Sequence, residues 1–184
     1  MNHVAIAAVE TSSIAQGLVV ADAMMKQADV ELLAASTLSP GRFWVLVGGD
    51  VASVRVSHRR GVEIAADALL DQLFIPQVHS GVMPAILGRV APTDDDAVGV
   101  IETLSAASAI VAADIAAKTS PITLRDLRLA NGIGGKGVVM LSGTVSDVQA
   151  AVEAGRADAQ KRGLLARAVV IPRMDVQLRT RVLG

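Results

Sequence analysis

The stretch Ala5–Gln27, AIAAVETSSIAQGLVVADAMMKQ, has a counterpart at Ala97–Thr119, AVGVIETLSAASAIVAADIAAKT. At an offset of 92 residues Glu10 matches Glu102, Thr11 matches Thr103, and Ser13 matches Ser105. Asp22 and Lys26 likewise fall on Asp114 and Lys118. After a two-residue insertion the offset becomes 94, and Gly41, Gly49, Val54 and Gly61 fall on Gly135, Gly143, Val148 and Gly155. Near the ends FIPQV from Phe74 aligns with VIPRM from Val170. A period of about 90 residues is too long for a solenoid repeat. It fits two tandem copies of one small domain, 1–92 and 93–184.

Both copies read alike. An apolar strand ends in Glu-Thr, at Val4–Thr11 and at Val98–Thr103. An Ala-rich helix follows, with Ile14, Leu18, Ala21 and Met25 at helical spacing and cap candidates from Thr11 to Ser13. Next come a strand (Glu31–Ser36, Thr123–Leu129), a glycine-containing loop (LSPGR, NGIGGKG) and a second apolar strand (FWVLVGGD, VVMLSGTV). A second helix starts near Asp50 or Ser146, both plausible caps. A short strand, Leu73–Pro76 or Ala168–Pro172, closes the unit. The order βαββαβ is an α/β (α+β) unit of the ferredoxin-like, split-βαβ kind. Gly88–Ala97 reads as the linker, and its Asp94, Asp95 and Asp96 as solvated rather than metal-binding.

Composition narrows the function. The chain is 52% hydrophobic but only 2% aromatic, with a mean hydropathy of +0.49. Its longest weakly polar window, Leu104–Ala117, is interrupted by Asp114 and is too short to span a bilayer. No secretory signal is visible at the N-terminus. So much apolar surface with so few large side chains points to burial against other subunits. The absence of Cys removes disulfides, zinc-thiolate sites and cysteine nucleophiles. A net charge of −1 and the lack of stacking platforms do not suit a nucleic-acid surface.

One motif competes with this reading. In Asn131–Gly137, NGIGGKG, the spacing Gly132-x-Gly134-x-x-Gly137 is that of a dinucleotide-binding loop. Such a loop must open a helix, whose N-terminal N–H groups hold the pyrophosphate. Here β-branched, strand-like VVMLSG follows, so the loop joins two strands. A phosphate loop of the Gly-Lys-Ser/Thr type fails too, since Gly137 follows Lys136 and Ala130 stands where its first glycine belongs. His3, His58 and His79 share no metal-ligand spacing. His58, beside Arg59 and Arg60, is expected on a solvated or interface face, and His79 in a turn. Glu10 and Glu102 are paired carboxylates of the kind used in acid–base work, but their duplication points to a role in the fold. No catalytic residue and no metal site is expected.

VETSSIAQGLVVADAMMKQADVELL, the Pro/Gly loop, FWVLVGGDVASV and IPQVHS together closely resemble the shell proteins of bacterial microcompartments. The repeat resembles the tandem-domain, trimer-forming members, and VGVIETLSAASAIVAADIAAK…LANGIGGKGVVMLSG resembles those of propanediol-utilisation compartments. Both copies run in the ordinary, unpermuted order. The resemblance implies a trimer shaped as a pseudo-hexameric tile, packed with hexameric and pentameric shell proteins around enzymes in the cytoplasm. It places Leu38, Ser39, Pro40 and Gly41, with Gly132, Ile133, Gly134 and Gly135, around a pore on the threefold axis. Glycine suits that place because backbones can approach without a side chain. Some relatives carry Cys in the first loop, where it holds an iron–sulfur cluster. This chain has Ser39 there, a poor ligand for a cluster that prefers thiolate, so no cofactor is expected. The resemblance also places Lys26 and Lys118 at the tile edge, with Arg173 after the second Ile-Pro and Gln77 in its place in the first copy. The competing reading is a small-molecule binding or sensing module built on the same ferredoxin-like repeats.

Overall fold

The computed structural model describes residues 4–90, 96–130 and 132–183. They cluster into two compact units, one ending at Val78 and including Ala130–Gly135, the other made of His79–Leu129 and the chain from Lys136 onward. The first unit runs β1 (Ala5–Thr11), α1 (Ile14–Gln27), β2 (Glu31–Leu38), β3 (Arg42–Gly49), α2 (Val51–Ala65) and β4 (Leu69–Ile75). A short helix, α3 (Val82–Ile86), opens the second unit. There follow β5 (Ala97–Thr103), α4 (Ala106–Thr119), β6 (Thr123–Leu129), β7 (Gly137–Gly143), α5 (Val145–Lys161), β8 (Leu165–Pro172) and α6 (Val176–Leu183). The strands pair as β2-β3-β1-β4 and β6-β7-β5-β8, all antiparallel. This is the split-βαβ order the sequence predicts, formed twice.

Alternation along the central strands builds the first core. Ala5, Ala7 and Val9 of β1 and Phe43, Val45 and Val47 of β3 face Val20, Ala21 and Met24 of α1 and Val54 of α2. Each fully buried Val, Phe or Met side chain among them contributes about 1.5–3 kcal/mol. α1 begins where Ser13 accepts from the Gln16 N–H at 3.2 Å. α2 begins where Asp50 accepts from Ala52 and Ser53 at 2.9 and 3.0 Å. These hydrogen bonds, those to Ser53 first, hold the Asp50 carboxyl below its ordinary pKa. Ser57 of α2 donates to the Met24 carbonyl at 3.0 Å and ties the two helices together.

The repeat extends to irregularities. Register shifts fall between Glu10 and Thr11 and again between Glu102 and Thr103. A second pair falls between Leu32 and Ala34 and between Leu124 and Asp126. An extra residue bends a strand and re-aims its side chains, so each bend recurs at its own place in both copies.

Three expectations need correction. The closing strands begin earlier, at Leu69 and Leu165, with alternate burial carrying β4 through Asp71 and Gln72. The cap of α5 is Thr144, which accepts from the Asp147 N–H at 3.3 Å, while Ser146 lies inside the helix. Helices α3 and α6 follow the closing strands as additions to the βαββαβ order. Of the expected linker, 91–95 lies outside the described residues, Asp96 is exposed and Ala97 opens β5.

Candidate functional site

The two glycine loops leave strand edges at matching places, and each is anchored by an ion pair. In the first unit Arg42, the residue after LSPG, donates to Glu10 at 3.0 Å. In the second, Lys136 donates to Glu102 at 2.7 Å. Acid and base are both duplicated, at offsets 92 and 94. The side chain of Glu10 is 1% exposed and that of Glu102 32%, so the first pair is the more deeply held. Beside each pair a threonine closes the corner. Thr11 donates to the carbonyls of Ser13 and Phe43 at 2.9 and 3.3 Å. Thr103 donates to those of Ser105 and Gly137 at 2.8 and 3.4 Å. Both glutamates thus hold the fold, each engaged by a cation.

Within the loops, Leu38 closes β2 with its side chain buried, Ser39 is partly buried, and Pro40 and Gly41 are exposed. In the second loop Gly132 and Gly134 are exposed, Ile133 is partly buried and Gly135 is buried. Gly135 has φ +81°, and a Cβ there would lie 2.9 Å from the Ser39 carbonyl oxygen and 3.1 Å from Arg42 Cζ. Only glycine accepts both the left-handed backbone and that approach. The Arg42 guanidinium also donates to the Gly135 carbonyl at 3.4 Å. Ser39, Arg42 and Gly135 therefore form one cluster inside the first unit. Asn131 lies outside the described residues.

At the positions expected on the tile edge, Lys26 pairs with Asp22 at 2.7 Å with both side chains exposed. Lys118 pairs with Asp114 at 2.6 Å, where the carboxylate is buried. Asp114 also accepts the backbone N–H of His79 at 2.8 Å. Gln77 and Arg173 are exposed beyond β4 and β8. Arg173 has φ +50° and donates its backbone N–H to the Asp96 carbonyl at 2.7 Å.

The histidines have structural partners. His58, expected on a solvated or interface face, is partly buried and stacks on Phe74, with ring centroids 5.9 Å apart and 21° between planes. Arg55 lies 4.9 Å from the centroid of the same phenyl ring. Burial lowers the His58 pKa below its ordinary value, opposed by a hydrogen bond with Gln72. His79 Nδ1 accepts from the Gly81 N–H at 3.1 Å. His3 lies outside the described residues, as do Asp94 and Asp95. Among the described residues no group of three or more His, Cys, Asp or Glu could hold a metal ion. No described helix is long and apolar enough to cross a membrane.

Two antiparallel four-stranded sheets, each with its pair of helices and a loop anchored by a Glu–base pair, define a tandem α/β domain protein. The BMC domain matches residues 5–78 and again 97–174, and the chain belongs to that family. It is 44% identical over 169 residues to the bacterial microcompartment shell protein PduT of Citrobacter freundii, spanning 92% of each chain. The crystal structure of a microcompartment protein from Desulfitobacterium hafniense superimposes with a TM-score of 0.86 at 45% identity, over 96% of this chain and 98% of that one. The fused permuted hexameric shell protein MSM0275 of the RMM microcompartment has a TM-score of 0.64 at 19% identity, over 84% and 81%, and shares the fold.

Proposed function

We propose that this chain is a structural shell protein of a bacterial microcompartment. Three copies form a pseudo-hexameric tile that packs with hexameric and pentameric shell proteins in the cytoplasm and encloses enzymes. The observation that carries this reading is the BMC domain matched twice in one chain, together with 44% identity to a shell protein across 92% of the length. No catalytic role is assigned, because both carboxylates at the strand ends are engaged by cations.

The loops after β2 and β6 line a threefold pore for small polar metabolites. Their glycines support this by keeping the backbone compact, and Ser39 would supply a hydroxyl from each copy. Lys26, Lys118, Gln77 and Arg173 lie at the tile edges, where the Gln77/Arg173 difference makes the two kinds of edge unequal. Native mass spectrometry and electron microscopy test the assembly. A trimeric mass and flat hexagonal arrays are expected, and a dimer with a ligand-dependent melting shift would favour sensing instead. For the pore, Ser39→Phe should reduce single-channel conductance, and unchanged conductance would remove this loop from the conducting path.

A further inference from the structure

The segments that follow β4 and β8 are equivalent. Ile75-Pro76 aligns with Ile171-Pro172, which sets His79 opposite Asp175 and Val82 opposite Leu178. The first of these segments is seated on the second unit. α3 packs against β6 and α4, with Val82 and Ala85 buried. The His79 N–H donates to Asp114 at 2.8 Å. Leu124, under this segment, is 4% exposed.

The second segment has no such seat among the described residues. Asp175 precedes α6 and accepts from the Gln177 and Leu178 N–H groups at 2.9 and 3.3 Å. Its Val176 and Leu178 are 65% and 50% exposed. On the first unit the corresponding face is exposed among the described residues. Leu32, equivalent to Leu124, is 45% exposed. Leu18, equivalent to the buried Ile110, is exposed, and so is Asp22, equivalent to Asp114. Among the described residues, one chain thus carries a helix whose Val176 and Leu178 have no seat and a matching seat without a helix.

We infer that α6 of one copy lies across α1 and β2 of the next copy, its Asp175 N–H donating to Asp22, as α3 lies across α4 and β6. This rests on the trimer proposed above. A head-to-tail contact of this type forms a closed ring when its rotation closes, so three copies would satisfy every helix and every seat.

The chain has no Cys, so Asp22→Cys with Asp175→Cys introduces the only pair that can form a disulfide. The His79 N–H lies 2.8 Å from the Asp114 carboxylate, so the equivalent backbones of two copies would run side by side, and a disulfide needs Cα atoms about 4.4–6.8 Å apart. Mild oxidation should yield covalent dimers and trimers on a non-reducing gel, lost on reduction, and neither single variant should reach a covalent trimer. Leu178→Asp should shift the native mass towards the protomer with an unchanged far-ultraviolet circular dichroism spectrum. If the unmodified protein is trimeric but the double variant does not cross-link, or Leu178→Asp leaves the trimer intact, the docking of α6 is wrong and the trimer stands. A monomeric mass for the unmodified protein would overturn the trimer and this contact together.

Discussion

Gly61 and Gly155 occupy the same place in the two copies, where the second helix of each unit crosses the first, yet replacing them with alanine should have different consequences. A Cβ at Gly155 would lie 2.8 Å from the Ala112 carbonyl oxygen and 2.8 Å from Ile101 Cδ1. At Gly61 it would meet Met24, 2.5 Å from Sδ and 2.7 Å from Cγ. The difference lies in what must move. The Ala112 carbonyl belongs to the backbone of α4, so accommodation means shifting a helix. Met24 is an unbranched thioether that can turn at several bonds. Alanine gains about 0.8–1 kcal/mol over glycine in a helix interior, and an overpacked core costs about 1–3 kcal/mol. With backbone in the way, Gly155→Ala should sit at the costly end, a net loss of about 2 kcal/mol. With Met24 yielding, Gly61→Ala should lose less than about 1 kcal/mol. At about 2–4 °C per kcal/mol for a chain of this size, the melting temperature should fall by about 4–8 °C and by under about 4 °C respectively. Scanning calorimetry at one fixed protein concentration measures both, since the melting point of an oligomer depends on concentration. Equal shifts, or a stabilised Gly155→Ala protein, would refute the argument that a backbone obstacle distinguishes the two crossings.

The other expectations concern charge. Arg42→Ala removes the cation from a buried Glu10 and should cost about 2–4 kcal/mol in urea unfolding, while Lys136→Ala, beside a carboxylate one-third exposed, should cost under about 1 kcal/mol; similar midpoints for the two variants would contradict this ranking. Because burial lowers the His58 pKa in the folded protein, the unfolded chain binds the proton more readily, so His58 should reduce stability as pH falls through about 6.5. His58→Gln should therefore flatten the melting temperature between pH 7 and pH 5, and an unaltered slope would exclude His58 as its source. Lys26→Ala removes the cation beside Asp22 without adding a carboxylate next to the α6 contact, and should leave the native mass trimeric while abolishing flat arrays in the microscope. A dissociated trimer would move Lys26 from the tile edge to the subunit contact. In the second copy Lys118→Ala is the matching variant, because an aspartate there would face the buried Asp114.

Most of the fold could be read because the chain states it twice. Ala5–Gln27 and Ala97–Thr119 share few large side chains but keep the same strand, cap and helix spacing, and that spacing is what both sheets obey. What escaped has physical reasons. Asp71 and Gln72 interrupt the apolar run of β4, so only its last residues looked strand-like. Thr144 and Ser146 are both good caps two residues apart, and sequence does not say which hydroxyl meets the open N–H. α3 is five residues long and holds Pro84, too short for a helical period to show. α6 is polar on most of its surface, so its apolar residues read as scattered. The Glu–base pairs at the loops did have a signal. Glu10 and Glu102 stood out as duplicated acids, and asking which opposite charge was duplicated with them leads to Arg42 and Lys136. The placement of Gly135 against Ser39 had none, because it depends on chain separated by more than ninety residues.

The two-residue insertion that separates the repeats after β2 and β6 bears on stoichiometry. Half-length subunits with different loops, made separately, would mix in proportions set by their synthesis and would populate many compositions in one tile. Joining them by a peptide bond removes that freedom. In the proposed tile short and long loops would then be equal in number at every expression level, so an opening built from both would have one composition. Duplication followed by drift in a single loop is thus a way to make a heteromeric opening from a homomeric assembly, with no recognition between unlike chains to evolve.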